Sequence, residues 1–352
     1  MYNKENIIRT GICSYGMSGK LFHAPFIQNH PGFELTAIVE RSKNESKERY
    51  PDTKLYRSVE ELIGDESLQL IIVNTPVQTH YDYAKKVMAA GKHVIVEKPF
   101  TVTSQQAEEL VQLADKHKVM LFVFQNRRYD GDYKMVKEVL DKKLLGDIKE
   151  VEIRYDRYRP EISYKVHKET DLPGAGITYD LGAHLIDQSL QLFGQPQALF
   201  ADMMAMRDGS PVDDYFELIL FYPSFRVRLK GSCFVKEPVP EYILSGSKGT
   251  FLQKRSDLQE TNLLKGVSPS LETWCPAPDK PDGLLHIVVD GKDVKEERTT
   301  SPGNYMYYFD DVYKAIHKLV SNPVPGTDGV KIIRIIEAAK QSAKEGRIIN
   351  VQ

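Results

Sequence analysis

The hydrophobic positions of the first 125 residues follow two alternating periods. Short apolar runs, typical of strands buried on both faces of a sheet, are separated by amphipathic segments. One such segment, Ser104–His117, brings its apolar positions to one face of a helix. Regular alternation of strand and helix predicts a doubly wound parallel sheet. The predicted strands are Ile7–Cys13, Leu35–Val39, Leu70–Asn74, His93–Val96 and Met120–Phe124.

Beyond the first 125 residues the runs become longer and alternate in polarity. In Phe225–Phe234, Val227 and Leu229 alternate with Arg228 and Lys230, as in an antiparallel sheet covered on one face. The other strands predicted here are Glu150–Tyr158, Leu199–Arg207, Tyr215–Tyr222 and Tyr242–Ser245, with helices near Tyr179–Phe193, Tyr305–Val320 and Val330–Glu345.

The change of pattern predicts two domains, residues 1–125 and 126–352, with the last helix placed to pack back on the first domain. Between Lys254 and Pro302 the chain is polar and rich in proline and glycine, which predicts a long loop or a hairpin excursion.

Composition restricts the function classes. The chain has 352 residues, 41% of them hydrophobic and 27% charged, and a formal net charge of −2. Balanced charge without a basic block argues against nucleic acid or an anionic membrane as a partner. A polar start and the lack of a long apolar run predict a cytoplasmic protein. The three cysteines have no zinc-binding spacing, and their odd number argues against a disulfide framework.

The first strand runs into the loop SYGMSGK, which has the rhythm of a phosphate-binding loop. The dinucleotide pattern G-x-G-x-x-G would place glycine at Ser14, Gly16 and Gly19, and Ser14 breaks it. A P-loop would need a hydroxyl residue in place of Leu21. Glu40, at the end of the second strand, stands where a ribose-binding acid belongs. These positions predict a dinucleotide loop; the alternative is a glycine-rich turn that binds nothing.

Two later strand ends carry polar residues at the edge where doubly wound sheets bind ligands. Asn74, Thr75 and Pro76 end one strand, and Glu97 and Lys98 end the next. A lysine beside a cofactor ring can hydrogen-bond a substrate hydroxyl and favour its alkoxide. The alternatives are an ordinary turn in the first case and a solvated lysine in the second.

The helix predicted near Tyr179–Phe193 carries Asp180 and His184 on one face, because they are four residues apart. A carboxylate one turn from a histidine can fix its tautomer and raise its basicity, which suits general acid/base catalysis. One alternative is a solvated polar face. Another is a metal site that includes Asp187, but no cluster of histidine or cysteine supports it, so we predict no metal.

Two polar and aromatic segments, Gln125–Tyr133 and Arg154–Pro160, lie near the change of domain. Their arginine, asparagine, aspartate and tyrosine side chains offer dense hydrogen bonding to a hydroxyl-rich ligand, and ligands often bind between domains. The alternatives are a charged hinge and a solvated strand face.

Together these motifs resemble the Gfo/Idh/MocA family of oxidoreductases over essentially the whole chain. The resemblance rests on SYGMSG, NTP, AGKHVIVEKP, NRR and the pattern G-x-x-x-D-x-G-x-H from Gly176 to His184. The segments FHAPFI and EKPFTVT are most similar to a branch that includes an NADP-dependent scyllo-inositol dehydrogenase. The resemblance implies an N-terminal Rossmann dinucleotide-binding domain. It also implies a C-terminal α/β domain with an open, mainly antiparallel sheet, used for substrate binding and oligomerisation.

The resemblance also implies the roles of individual residues. Lys98, Asp180 and His184 are expected to be catalytic, and Arg127 and Tyr158 to join Asp180 and His184 at the substrate. The residues expected at the cofactor are Ser14, Tyr15, Gly16, Met17, Ser18, Glu40, Arg41, Asn74, Thr75, Pro76, His80, Glu97, Lys98 and Asn126. Ser14 stands where many members carry glycine.

The cofactor is expected to be NAD or NADP. Glu40 favours NAD, because a carboxylate bonds the ribose 2′-hydroxyl and repels a 2′-phosphate, whereas Arg41 and Lys43 could clamp that phosphate. We expect reversible hydride transfer between nicotinamide C4 and a secondary alcohol of a sugar, inositol or related polyol, by a homodimer or homotetramer. The alternatives are an NAD-dependent glycosidase and a non-catalytic, cofactor-sensing regulator.

Overall fold

The computed structural model describes residue 2 and residues 4–163 and 169–351. The chain forms two compact units, each assembled from three segments. The first unit comprises the residues up to Asn126 together with Gln259–Cys275 and Asn304–Val330. The second comprises Arg127–Leu258, Pro276–Gly303 and the residues from Lys331 onward.

A six-stranded parallel sheet forms the centre of the first unit. Its strands are β1 Ile8–Ile12, β2 Phe33–Val39, β3 Lys54–Tyr56, β4 Leu70–Val73, β5 His93–Val96 and β6 Leu121–Val123. They lie in the order β3-β2-β1-β4-β5-β6, which is the Rossmann order, and the winding reverses beside β1. The predicted doubly wound parallel sheet is confirmed. The edge strand β3 was not predicted, because its three residues show no buried apolar run.

The helices of both units are α1 Ala24–Asn29, α2 Glu45–Arg49, α3 Val59–Ile63, α4 His80–Ala89, α5 Ser104–His117, α6 Gly131–Asp141, α7 Ala183–Phe193, α8 Gln259–Leu264, α9 Met306–Ile316 and α10 Gly326–Glu345. The predicted bounds of α5 are correct because Thr103 caps it: its side chain accepts the Gln106 N–H, and the Gln106 side chain bonds back. Within the described part of the chain, no helix is long and apolar enough to cross a membrane.

A nine-stranded sheet forms the second unit. Its strands are β7 Ile148–Arg154, β8 Ala198–Met204, β9 Tyr215–Phe221, β10 Arg226–Ser232, β11 Tyr242–Gly246, β12 Gly249–Gln253, β13 Gly283–Val289, β14 Lys292–Arg298 and β15 Ile349–Asn350. Their order is β14-β13-β12-β11-β7-β10-β9-β8-β15, and among these described strands only β7 and β10 pair in parallel. The mainly antiparallel sheet is confirmed. As predicted, Val227 and Leu229 in β10 are buried, whereas Arg228 and Lys230 between them are only half-buried.

The excursion between Lys254 and Pro302 divides into two parts. Strands β13 and β14 form the predicted hairpin in the second unit. Gln259–Cys275 instead belongs to the first unit, where α8 packs on the turn Gly19–His23 that follows the β1 loop. Trp274 in this segment donates from Nε1 to Asn304 Oδ1 at 2.8 Å and packs edge-on against Phe26 in α1.

Candidate active site

The loop after β1 is held by the end of β4, the neighbouring strand. The Ser14 N–H donates to Asn74 Oδ1 at 2.9 Å, and Asn74 Nδ2 donates to the Ser14 carbonyl at 2.8 Å. The Gly16 N–H donates to Ser14 Oγ at 3.3 Å. Ser14 does not adopt a positive φ. Serine therefore fits this turn without the backbone freedom of glycine.

Gly19 lies where the helix after the loop meets the loop itself. A Cβ at this position would lie 2.1 Å from the Ser14 carbonyl oxygen, so only glycine fits. A Cβ at Gly16 would have Ser14 Oγ as its nearest neighbour, at 3.5 Å, which is ordinary contact. Gly16 and Met17 are exposed between the buried Tyr15 and the half-buried Ser18. The loop thus presents its main chain to solvent at the carboxyl end of β1, as a phosphate site requires.

The helix that follows the loop starts with a π-helical turn, Gly19–His23, and continues as α1. A second π-helical turn, Thr178–Gly182, leads into α7 in the second unit. Such turns are rare and occur frequently at functional sites. Both therefore fall on motifs that the sequence already marked as candidate sites.

Glu40, at the end of β2, is buried, and its carboxylate accepts three hydrogen bonds. The donors are the Glu45 N–H at 3.1 Å, the Ser46 N–H at 2.9 Å and the Ser46 hydroxyl at 2.6 Å. These bonds fix the carboxylate at the start of α2. Arg41 and Lys43 next to it are exposed. A fixed acid with cations on its solvent side leaves both NAD and NADP open.

The ends of β4 and β5 are joined by a buried histidine. His80 Nε2 lies 2.8 Å from the Thr75 carbonyl oxygen, and Nδ1 lies 3.0 Å from the Pro99 carbonyl oxygen. Burial lowers the pKa of His80. Thr75 also bonds Thr79 through their hydroxyls at 2.7 Å, whereas Pro76 is exposed. The side chain of His80 therefore stabilises the turns that follow β4 and β5 by hydrogen-bonding to both.

Glu97 and Lys98 leave β5 together. The buried Glu97 carboxylate accepts a hydrogen bond from His23 Nε2 at 2.9 Å and another from the Lys98 main-chain N–H at 3.0 Å. Burial acts to raise the pKa of Glu97, but the interactions with His23, Lys98 and Ser18 together outweigh it, and the pKa is lowered. Lys98 is half-buried at the carboxyl edge of the sheet.

In the second unit, Asp180 lies in the π-helical turn and His184 in the first turn of α7. The Asp180 side chain is 18% exposed, and His184 is buried. The turn is held from behind by Asp213, whose Oδ2 accepts the Thr178 N–H at 2.8 Å and the Thr178 hydroxyl at 2.7 Å. Burial raises the pKa of Asp213. Gly176 is needed here, since its φ is +92° and a Cβ would lie 2.1 Å from Asp213 Oδ1.

Three arginines surround the buried ring of Tyr155. Arg157 packs 5.1 Å from the ring centre, and its Nη1 lies 3.8 Å from Asp180 Oδ2. Arg127 donates from Nη2 to the Tyr155 hydroxyl at 2.7 Å. The Arg255 guanidinium lies 3.4 Å from the ring centre. The Asp180 carboxylate therefore faces a positive group, and Arg127 engages a protein side chain.

Asp187 forms a bidentate ion pair with Arg128 of the NRR motif. The distances are 2.9 Å from Nε to Oδ2 and 2.5 Å from Nη2 to Oδ1. This pairing makes Asp187 a structural residue of α7. Among the residues that the structure describes, no three histidine, cysteine, aspartate or glutamate side chains are grouped as metal ligands.

The remaining predicted residues are dispersed. Tyr158 is 51% exposed beside Lys236, and Asn126 is buried. Lys98 belongs to the first unit and Asp180 and His184 to the second, so the joint action of the three stays a prediction.

Two family models match the chain almost end to end. The model described as an oxidoreductase family with an NAD-binding Rossmann fold matches residues 8–125, and the C-terminal alpha/beta domain of the same family matches residues 137–351. The chain belongs to the Gfo/Idh/MocA oxidoreductase family. The predicted resemblance is confirmed.

Individual Gfo/Idh/MocA relatives match over the full length. The scyllo-inositol 2-dehydrogenase (NADP(+)) IolW of Bacillus subtilis is 36% identical, covering 99% of this chain and 97% of that enzyme. A Bacteroides fragilis protein of solved crystal structure is 44% identical with a TM-score of 0.88, covering 98% of this chain and 99% of its own. The Bacillus subtilis oxidoreductase YvaA is 34% identical with a TM-score of 0.95, covering 99% of this chain and 100% of its own.

Three residues that contact the candidate residues or their turns were not predicted from sequence: His23 in the first unit, and Arg157 and Asp213 in the second. Arg157 stood inside a polar segment already suspected of ligand contact, but nothing distinguished it from its neighbours. Asp213 could have been sought as the partner of Gly176, yet it lies on a distant segment. His23 bonds Glu97 across 74 positions and through a π-helical turn, which no sequence period reveals.

Proposed function

We propose that this chain is an NAD(P)-dependent oxidoreductase that transfers a hydride between the nicotinamide and a secondary alcohol or ketone carbon of a sugar, inositol or related polyol. One observation carries the proposal. The phosphate loop, Asn74 and Lys98 lie at the carboxyl ends of β1, β4 and β5, three neighbouring strands beside the point where the winding reverses. Doubly wound sheets bind their ligands there.

The residues present fit a dinucleotide. The first N–H groups of a helix lack partners within the helix and carry partial positive charge, which suits a pyrophosphate. The main chain is exposed at Gly16 and Met17, just before this helix, and the absence of a side chain at Gly19 lets the helix approach the loop. When bound, the nicotinamide supplies or accepts the hydride.

The protein's own residues handle the proton. In this proposal His184 takes the hydroxyl proton from the alcohol or returns it to the carbonyl oxygen. Asp180, which lies beside Arg157, orients the imidazole and stabilises its charged form. Lys98 donates a hydrogen bond to the same oxygen and favours its alkoxide form. General acid/base transfer of this kind contributes about 10²- to 10⁴-fold to the rate.

The test is a fluorescence titration of the purified protein with NADH and NADPH, followed by a panel of inositols, sugars and sugar ketones assayed with whichever cofactor binds. Binding of one cofactor and turnover of a polyol supports the proposal. Failure to bind either refutes it.

The same panel, with a glycoside added, separates the other candidate functions. A glycosidase on this fold would release product from a glycoside without net oxidation of substrate or loss of its cofactor. A cofactor-sensing regulator would bind NAD(P) and turn over nothing.

Further parts of the proposal concern assembly. We propose that residues 1–125 bind the dinucleotide and that residues 126–352 bind substrate and form a homodimer or homotetramer, in the cytoplasm. The second face of β9 supports an interface, because Ile219 and Phe221 alternate with fully buried residues and are only half-buried themselves. Light scattering coupled to size exclusion measures the oligomeric state.

A further inference from the structure

We propose that Glu97 is a positioning residue that couples the phosphate-loop helix to Lys98, and that His23 is its partner on that helix. The inference rests on the proposed function, since it explains how the cofactor loop and the lysine act together. It assigns a task to a buried histidine that the proposed chemistry does not use.

The two oxygens of Glu97 face different elements. One accepts from His23 Nε2 at 2.9 Å, on the helix that follows the phosphate loop. The other accepts from the main-chain N–H of Lys98 at 3.0 Å, at the exit of β5. A single carboxylate is therefore hydrogen-bonded both to the helix that follows the phosphate loop and to the main chain of the lysine.

The π-helical turn makes this arrangement possible. Ser18 and His23 are five residues apart, and the interaction with the side chain of Ser18 also acts to lower the pKa of Glu97. In an α-helix, residues five apart point about 140° away from each other. In a π-helix the hydrogen bonds run between residues five apart, so such residues come to one side. The turn at Gly19–His23 thus directs both side chains at the same carboxylate.

The surroundings of His23 indicate that its role is the hydrogen bond to Glu97. The side chain has no exposed surface and packs 4.4 Å from the ring of Phe124. Within the part of the chain that the structure describes, Nδ1 has no hydrogen-bond partner. Because a carboxylate only accepts, Nε2 carries the proton in the bond to Glu97. An apolar side chain would fill this space as well, so the polar contact is the property that histidine adds.

The experiment compares His23→Leu, which removes the donor, with His23→Gln, whose side-chain amide can replace it. Dissociation constants for NADH and NADPH are measured by fluorescence without substrate, and kcat is measured at saturating cofactor. Loss of a hydrogen bond to a charged group changes an equilibrium by about tenfold or more. We expect His23→Leu to weaken cofactor binding and lower kcat on that scale, and His23→Gln to recover most of both losses.

His30→Leu is the matched control. His30 is also buried in the first unit and lies 3.5 Å from a carboxylate, that of Asp310, but it does not contact Glu97. We expect this variant to lose stability while keeping the wild-type dissociation constant and kcat.

Wild-type binding and kcat in His23→Leu would overturn the inference, as would a His23→Gln variant as impaired as His23→Leu. If His23→Leu does not fold, Glu97→Gln replaces it, because its amide cannot accept from both His23 and Lys98; an unchanged kcat in that variant also overturns the inference. A wild-type protein that binds neither cofactor refutes the proposed function instead.

Discussion

Ser14 and Asn74, at the ends of two adjacent strands, are joined by two hydrogen bonds. Both bonds use the main chain of Ser14 and the side chain of Asn74. The amide of Asn74 serves as donor and acceptor at once. This pair of hydrogen bonds therefore depends on the side chain at position 74 and not on the side chain at position 14.

Replacement of Asn74 should therefore cost more than replacement of Ser14. We expect Asn74→Ala to raise the cofactor dissociation constant about tenfold or more, because two hydrogen bonds that fix the loop are lost. Ser14→Gly keeps both bonds and should bind almost as the wild type does. Titration with NAD(P)H measures both. A complete loss of affinity in Ser14→Gly would instead make Ser14 a principal ligand of the cofactor.

The loop glycines should differ in their effect on stability. In Gly19→Ala the new Cβ would meet the Ser14 carbonyl oxygen at 2.1 Å, which forces the helix away from the loop. We expect a loss of about 1–3 kcal/mol in the free energy of unfolding, measured by denaturant without cofactor. Gly16→Ala, where the nearest atom is 3.5 Å away, is the control and should unfold as the wild type does. Equal losses in the two variants would show that the close approach at Gly19 is relaxed in solution.

His184→Ala should lower kcat by about 10²- to 10⁴-fold on an identified polyol, with cofactor binding retained, because the acid/base group is removed. Asp180→Asn should act in the same direction, since it removes the charge that stabilises the imidazolium. Gln191→Ala, an exposed position on the same helix, is the control. An unchanged kcat in His184→Ala would remove this histidine from the mechanism.

Glu40→Ser should shift cofactor preference toward NADPH. The carboxylate is fixed by the start of α2, so it cannot turn away from a 2′-phosphate. We expect the ratio of the NADH to the NADPH dissociation constant to rise about tenfold. Glu48→Gln, an exposed acid in α2, removes the same charge and should leave the ratio unchanged. If the ratio of the two dissociation constants in Glu40→Ser equalled that of the wild type, the only role of Glu40 would be to cap α2.

His30 should make the first unit less stable in mild acid. Burial lowers its pKa to about 4, although Asp310 opposes the shift. Unfolded chains, with a histidine pKa of about 6.5, then bind more protons between these values. The stabilisation is therefore complete above pH ~6.5 and is lost as the pH falls towards ~4, up to about 3 kcal/mol. Melting temperatures across this range should fall less steeply in His30→Gln than in the wild type. Parallel curves would contradict the assignment.

Local patterns predicted much of the first unit, because each parallel strand is a buried apolar run and α5 has its capping residues next to it in sequence. The second unit's strand order depends on pairings between distant segments, which no local period encodes. The membership of Gln259–Cys275 in the first unit has the same origin. Candidate residues such as Lys98 and His184 were found because motifs are short. Their supporting residues were missed, since a π-helical turn shifts side-chain directions without altering the apolar pattern.

The segment Gln259–Cys275 also contains the only tryptophan of the chain. Trp274 is hydrogen-bonded to Asn304 and packs edge-on against Phe26, in the helix that follows the loop after β1. One indole in one environment means that the emission excited beyond the absorption of the 19 tyrosines originates beside that helix. The chain thus carries its own unlabelled optical probe of the region where a reduced nicotinamide, an acceptor for indole energy transfer, is expected to bind.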